Sequence, residues 1–258
     1  MACTLLTNEQ WHKLKIILLQ LGIYNKHNLR LTVEGILFRI RTGIPWRDLP
    51  KCFGCHNTIY KTFVRWYKLG KFMKLFQCPS KEADTEWVFI DDSYIKAHQH
   101  ACNVANKTEQ GIGKSVGGNT TKIHLVVDAC GNPIDFLITG GQVHDVKVTP
   151  QLIEQNKQVL SKHAEALSTD IGYDCDELRG QIKQTNTTPN ISKRSNSKSK
   201  DQNPNPIDDY LHKLRHLVEN AFEKCKRFRA VATRHDKLLV CYQGTVALAF
   251  VCQWVRLL

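Results

Sequence analysis

Three acidic residues are the first candidates for chemistry in this 258-residue chain. Asp91 and Asp170 each follow a short apolar run that is typical of a buried strand, and Glu219 lies in a helical segment. Carboxylates that converge from strand ends and a facing helix suit a pair of divalent cations, because Mg2+ prefers hard oxygen ligands. Taken alone, each of the three is more often a solvated turn or cap residue.

The helix that contains Glu219 concentrates its charges on one side. At about 100° per residue, five polar side chains fall on a single stripe opposite an apolar face. The stripe consists of His212, Arg215, Glu219, Glu223 and Lys226. The spacing also allows two i,i+4 ion pairs, Arg215 with Glu219 and Glu223 with Arg227. A plain surface helix would show the same pattern, but the basic residues that follow, Arg234 among them, favour an anion site.

The sequence of residues 1–84 predicts a small all-helical module. Thr7 and Gln10 have the spacing of a capping box, which predicts the start of the first helix. A third helix is predicted at residues 57–69, with Asn57 as its N-cap.

Positive charge is concentrated in this module. The whole chain has 36 Lys and Arg against 24 Asp and Glu, a formal net charge of +12. Residues 1–86 contain 14 of the basic and 6 of the acidic residues, a net charge of +8. This favours a helix-turn-helix-like unit that binds DNA through exposed cations such as Lys61 and Arg65. A helical bundle with a solvated basic face explains the charge equally well.

The middle of the chain predicts a mixed sheet. The apolar run at residues 87–90 is expected to end as a strand at Asp91 and Asp92. Strand patterns at residues 121–127 and 134–139 flank a turn signal and predict a hairpin. Strands in hairpin succession, followed by alternating helix and strand, indicate an α/β domain.

Three further segments bear on partners and location. Cys52 and Cys55 have zinc-like spacing but no second pair, so we expect two buried thiols in a turn and no zinc. The apolar residues 238–258 are interrupted by polar side chains and predict a buried helix rather than a membrane span. Residues 192–206 are Lys-rich and are expected to form a loop. Scattered cysteines and an N-terminus without a signal pattern indicate a cytoplasmic protein.

Several motifs resemble one family in the order in which they occur. The sequence FIDDSYIKAHQH at residues 89–100 resembles the first-aspartate motif of bacterial insertion-sequence transposases of the insertion sequence five family. TKIH at 121–124, GGQVHD at 140–145 and DIGYD at 170–174 are similar to its later motifs. Arg215, Glu219 and Lys226 have the spacing of its third motif, and RTGIPWRDLP at 41–50 extends the resemblance to the N-terminal module.

The resemblance implies an RNase H-like catalytic core at residues 85–258 behind a helical DNA-binding domain at residues 1–84. It implies a DDE transposase that binds the ends of an insertion sequence, then cleaves and transfers DNA strands. Asp91, Asp170 and Glu219 would hold two Mg2+ or Mn2+ ions, while Arg215 and Lys226 contact phosphate. The expected partners are double-stranded DNA of the element ends and target, and a second copy of the chain on DNA. Such a protein would be nucleoid-associated.

Two alternatives stay open at this level. A catalytically decayed remnant that still binds DNA would have the same charge, although the intact acidic triad favours an enzyme. A metal-dependent nuclease that cuts without strand transfer would have the same triad.

Overall fold

A computed structural model describes residues 5–192 and 208–255, and it confirms an α/β chain with a mixed sheet and a helical N-terminal region. The α-helices of this part are α1 Asn8–Gln20, α2 Leu29–Thr42, α3 His56–Lys68, α4 Lys71–Gln77, α5 Gln99–Cys102, α6 Asp145–Gln155, α7 Lys157–His163, α8 Asp176–Lys183, α9 Asp209–Leu214, α10 His216–Lys226, α11 Arg229–Ala232 and α12 Leu239–Val255. The strands are β1 Trp87–Ala97, β2 Gly113–Ser115, β3 Gly118–Val127, β4 Pro133–Gly140, β5 Ala166–Thr169, β6 Thr188–Ile191 and β7 Thr233–Arg234. The predicted Lys-rich loop lies outside the described residues, except for Ser192.

The N-terminal helices begin and end at local signals. The predicted capping box is confirmed: the hydroxyl of Thr7 accepts from the amide of Gln10 at 3.2 Å, and the Gln10 side chain accepts from the amide of Thr7 at 3.0 Å. Gly43 ends α2 in the left-handed region, with φ of +71°. The prediction of Asn57 as the N-cap of the third helix is wrong, because α3 already begins at His56 and Cys55 is its N-cap.

The sheet is built around β1. This strand pairs antiparallel with β3 and parallel with β5 and β7. The predicted hairpin is present as β3 and β4, and β6 extends the sheet parallel to β5. A mixed sheet follows, with parallel pairing on one side of β1 and antiparallel pairing on the other.

Strand β1 is longer than the sequence suggested. The prediction that it ends at Asp91 and Asp92 is wrong, because pairing with β3 continues as far as Lys96 opposite Thr120. The apolar run at residues 87–90 coincides with the segment that also pairs with β5. Beyond it, polar and apolar residues alternate, so that Asp91 lies in the middle of a strand and not at its end.

Two apolar layers cover the sheet. One face packs against α6, α7 and α8. The other packs against α10 and α12, and the N-terminal helices join this same core. Phe76 of α4, Phe136 of β4 and Phe250 of α12 lie with ring centroids 5.4–5.8 Å apart, so the helical module and the sheet share one continuous core. The division at residues 84 and 85 into two domains stays a prediction.

Two predictions about apolar and thiol groups have different outcomes. The C-terminal apolar segment forms the buried helix α12, and in residues 5–192 and 208–255 no helix is long and apolar enough to span a membrane. The expected burial of Cys52 and Cys55 is wrong, since both are exposed. Phe53 between them turns into the core with 4% exposure, so the side chains on either side of it face outward.

Candidate active site

The parallel pairing of β1 and β5 brings the two aspartates together. Ile90 is opposite Thr169 in the last pair of this register, and Asp91 and Asp170 are the next residues along their chains. Asp170 leaves the sheet directly after β5 and precedes a short 3-10 turn, Ile171–Tyr173. The two carboxylates therefore lie side by side where β5 ends.

The third acidic residue comes from α10, which crosses the same face of the sheet. Val218, Ala221 and Phe222 bury the apolar side of this helix in the core. The predicted single helix is divided near Arg215, because α9 ends at Leu214 and α10 begins at His216. Arg215 keeps right-handed backbone angles, so the charged stripe continues across the division.

The guanidinium of Arg215 lies among all three carboxylates. Its nitrogens are 2.9 Å from Asp170 Oδ1, 3.4 Å from Glu219 Oε1 and 3.7 Å from Asp91 Oδ2. The i,i+4 pair of Arg215 with Glu219 is thus present, but it is one part of a four-residue cluster. The structure brings together the three acidic residues that the sequence analysis selected.

Exposure differs strongly within this cluster, which we call the Arg215 cluster. The side chains of Asp91 and Arg215 are 16% and 19% exposed, whereas those of Asp170 and Glu219 are 42% and 59% exposed. Burial raises the pKa of Asp91 to about 6, although the amide of Asp92 and the guanidinium of Arg215 both lower it. The amide of Asp92 and the guanidinium of Arg215 therefore both favour the ionised form of Asp91.

The donor set of the Arg215 cluster fits a hard divalent cation. Three carboxylates supply oxygen ligands, and the partial exposure of two of them leaves access for water and phosphate. As the side chains stand, however, no group of three His, Cys, Asp or Glu in the described part of the chain has the arrangement of a metal site. Each of the three carboxylates lies within 3.7 Å of a nitrogen of the Arg215 guanidinium. Cation binding would require Arg215 to move outward.

Two other residues of the charged stripe behave differently. Lys226 Nζ donates to Ser93 Oγ at 2.6 Å, which holds the ammonium beside β1 two residues beyond Asp91. Glu223 is exposed, and the ion pair that the spacing allowed with Arg227 is not formed among the residues that the structure describes. Lys226 therefore faces the Arg215 cluster, while Glu223 faces solvent.

Asp92 points to the other face of β1, as strand geometry requires. Its carboxylate lies 3.4 Å from Lys122 Nζ and accepts from the hydroxyl of Tyr173 at 3.4 Å. Burial and the nearby carboxylate of Asp145 raise the pKa of Asp92 to about 6, and Lys122 lowers it. Lys122, Asp145 and Tyr173 were not predicted as site residues, although all three lie within the quoted motifs at 121–124, 140–145 and 170–174.

The sequence matches two known protein families. Residues 6–76 match the family described as "Putative transposase of IS4/5 family", and residues 82–250 match the family "Transposase DDE domain". The chain belongs to the DDE transposases. The resemblance of its motifs to insertion sequence five transposases is confirmed.

Individual relatives of this transposase support the assignment. A Brucella ovis protein named "Putative transposase for insertion sequence element IS6501" is 36% identical over 145 residues, which are 53% of this chain and 99% of that protein. An uncharacterized protein of Sinorhizobium fredii is 32% identical over 105 residues, which are 39% of this chain and 83% of that protein.

A solved structure supports the fold of this transposase. The cryo-EM structure of the piggyBac transposase synaptic complex with hairpin DNA aligns with a TM-score of 0.53 at 9% identity, over 98% of this chain and 73% of that one. At this identity the similarity shows the fold alone, an RNase H-like core.

The residues predicted to contact DNA outside the triad have different positions in this transposase. Lys61 and Arg65 lie one helical turn apart on α3 and are both exposed. The prediction of Arg234 as a DNA contact is wrong, because it is 0% exposed and donates to Thr121 Oγ1 and Gln110 O, each at 2.8 Å. Its guanidinium closes the loop before β2 onto the sheet and offers no surface to a ligand.

Proposed function

We propose that this DDE transposase binds the ends of an insertion sequence and catalyses divalent-metal-dependent cleavage and strand transfer of DNA at the Arg215 cluster. One observation carries the proposal: Asp91, Asp170 and Glu219 converge on a single cationic group from β1, from the end of β5 and from α10. The guanidinium lies among three carboxylates, and a cation of higher charge would bind there more strongly.

The residues of this cluster have separate tasks in the proposed reaction. Asp91, Asp170 and Glu219 would hold Mg2+ or Mn2+ as a pair of ions. When bound, such a pair would supply activation of a water or 3′-hydroxyl and stabilisation of the leaving oxygen in an in-line displacement at phosphorus. Arg215, released from the carboxylates, would bind the scissile phosphate in a bidentate manner. Lys226, held at Ser93, would neutralise a neighbouring phosphate.

DNA capture is proposed for the N-terminal module. Lys61 and Arg65 project from α3 on a region with a net charge of +8. Phosphate contacts by such cations give affinity and orientation without base specificity. The piggyBac structure contains hairpin DNA in a synaptic complex, which supports DNA as the partner here. A homodimer on DNA is part of the same proposal.

A strand-transfer assay tests the proposal and separates the alternatives. The full chain is incubated with Mg2+, a duplex that carries the terminal sequences of its own element, and a target plasmid. We expect end cleavage and joined product, both abolished by EDTA and both absent with a duplex of shuffled end sequence. Binding without cleavage would identify a decayed remnant. Metal-dependent cutting without joined product would identify a nuclease.

A further inference from the structure

A nearly buried lysine lies behind the Arg215 cluster, on the opposite face of β1. Lys122 of β3 has a side chain that is 3% exposed, and its ammonium is 2.6 Å from Asp145 Oδ1 and 3.4 Å from Asp92 Oδ2. The ring of Tyr94 covers it, with the centroid 4.4 Å from Nζ. Burial lowers the pKa of Lys122, but the hydrogen bonds to Asp145 and Tyr94 and the charge of Asp92 outweigh it, so the ammonium stays charged.

Lys122 is connected to the two segments that carry Asp91 and Asp170, directly to β1 and indirectly to the turn after β5. Asp92 is the chain neighbour of Asp91, and it also binds the hydroxyl of Tyr173, three residues after Asp170. Lys122 thus connects β3 to β1, and through Tyr173 to the turn that follows β5. Asp145 adds the first turn of α6 to the same set of contacts.

Stability alone does not explain this set of contacts. Ion pairs at low exposure lose most of their Coulomb energy to desolvation, and apolar residues of equal volume are often as stabilising. What an ammonium between two carboxylates does provide is a fixed geometry, because rotation of either carboxylate leaves a charge unpaired. The neighbouring His124 does not supply this charge, since burial lowers its pKa to about 4.

We propose that Lys122 is a positioning residue of the transposase, which fixes Asp91 relative to Asp170 by holding Asp92 and Asp145 on the opposite face of β1. The inference rests on the proposed metal site at Asp91, Asp170 and Glu219. Loss of the ammonium would let β1 and the turn after β5 shift against each other. The carboxylates of the metal site would then no longer converge.

Binding of Mn2+ to the full chain without DNA tests the proposal, with electron paramagnetic resonance as the readout. We expect Lys122→Met to weaken Mn2+ binding by about tenfold while binding of element-end DNA at low salt is unchanged. The Asp91→Asn/Lys122→Met double variant measures any Mn2+ taken up by the freed Asp92 and Asp145, and this amount is subtracted. In cleavage assays the half-saturating Mn2+ concentration should rise about tenfold, with most of the rate recovered at saturation.

A matched control separates positioning from a general loss of structure. Arg39 and Asp236 form another nearly buried ion pair, at 3.3 Å with 8% and 12% exposure. Arg39→Met should lower the melting temperature and leave Mn2+ affinity at the wild-type value. Wild-type Mn2+ affinity in Lys122→Met would overturn the proposal, as would an equal loss of affinity in both variants.

Two milder variants decide the question if Lys122→Met does not fold. Tyr173→Phe removes only the hydroxyl that joins the turn after β5 to Asp92. Asp145→Asn removes one negative charge, while the ion pair of Lys122 with Asp92 is retained. Each should weaken Mn2+ binding several-fold, and unchanged affinity in both overturns the proposal. Failure of the metal site itself looks different: wild type and Asp91→Asn would then bind Mn2+ alike.

Discussion

The two faces of β1 hold similar groups in different surroundings. On one face Arg215, at 19% exposure, is shared by three carboxylates, two of which are well exposed. On the other face Lys122, at 3% exposure, is shared by Asp92 and Asp145. A half-buried cation that contacts two well-exposed carboxylates can be exchanged for another cation, whereas a nearly buried ammonium cannot leave its two carboxylates unpaired without a large desolvation cost. Both faces have a basic residue among carboxylates, and the exposure of the cation and its carboxylates distinguishes the proposed metal site from the buried contacts of Lys122 behind it.

Neutralising one carboxylate on each face gives the largest expected contrast. Asp91→Asn should reduce cleavage of an end-containing duplex by at least about 10³-fold, because it removes one of the three proposed metal ligands. Asp92→Asn should reduce cleavage only about tenfold, because it weakens the contact with Lys122. Quantified cleavage products, with end binding measured in parallel, check both. The reverse order would mean that the register of the motif is off by one residue.

The next contrast lies along α10. Glu219→Gln should abolish most metal-dependent cleavage with the fold intact, because Glu219 is held at Arg215, 3.4 Å away. Glu223→Gln, one turn further and facing solvent, should keep most of the activity. Single-turnover cleavage and thermal melting measure the two effects. Similar losses from both variants would show that the third acidic ligand is wrongly assigned.

Removal of the exchangeable cation should separate metal binding from catalysis. Arg215→Gln should tighten Mn2+ binding to the free protein about tenfold, because the guanidinium no longer competes for the carboxylates. It should also slow cleavage about 10²-fold, because the proposed contact of Arg215 with the scissile phosphate is lost. Mn2+ binding should be measured at pH 8. Arg215 lowers the pKa of Asp91, so its loss raises that pKa above about 6, and at pH 8 the carboxylate is still ionised. Weaker Mn2+ binding at pH 8 would show that Arg215 supports the metal site.

Acid should weaken Mn2+ binding through Asp91. Its pKa in the metal-free fold is about 6, so below that pH a proton occupies the carboxylate and must leave when metal binds. Affinity should fall about tenfold per pH unit below pH 6 and be nearly constant above pH 7. Because the pKa of Asp92 is also about 6, Asp92→Asn serves as the control. It should keep the same slope, and a flat profile in that variant would assign the titration to Asp92.

The smallest expected effect concerns DNA capture by the exposed cations of α3. The double variant Lys61→Gln/Arg65→Gln should weaken binding of end-containing duplex several-fold and reduce the slope of log affinity against log salt by about 2. The double variant Lys162→Gln/Lys183→Gln removes the same charge from exposed positions on α7 and α8. Equal slopes for the two double variants would mean that α3 is not the DNA-binding element.

Local patterns were enough to find the Arg215 cluster but not the groups behind it. Glu219 and Lys226 lie on α10, and Arg215 directly before it keeps helical backbone angles, so their common stripe follows from residue spacing alone. Lys122 contacts Asp92 and Asp145 only because β3 pairs with β1 in one register and α6 starts near that face. Such contacts depend on distant parts of the chain, which periodicity does not report.

The same limit explains the wrong predictions. Arg234 looks like a surface cation in sequence, and only the fold shows the backbone carbonyl of Gln110 and the hydroxyl of Thr121 that surround it. The burial of Cys52 and Cys55 failed for a related reason, since Phe53 alone takes the inward position. Residue type predicts preference for the interior, whereas the direction of each side chain is set by its neighbours.

The three-ring contact of Phe76, Phe136 and Phe250 has a consequence for where DNA is cut. Helix α4 follows α3 directly, and this contact fastens it to the sheet that carries Asp91. An element end that is bound at α3 would therefore lie at a constant distance from the carboxylates of the Arg215 cluster, because α3 and the sheet belong to one packed core. The number of base pairs between the bound sequence and the cleaved bond would then be set by this core. Substitution of Phe76 by a smaller residue would shift the cleavage position or spread it over several bonds.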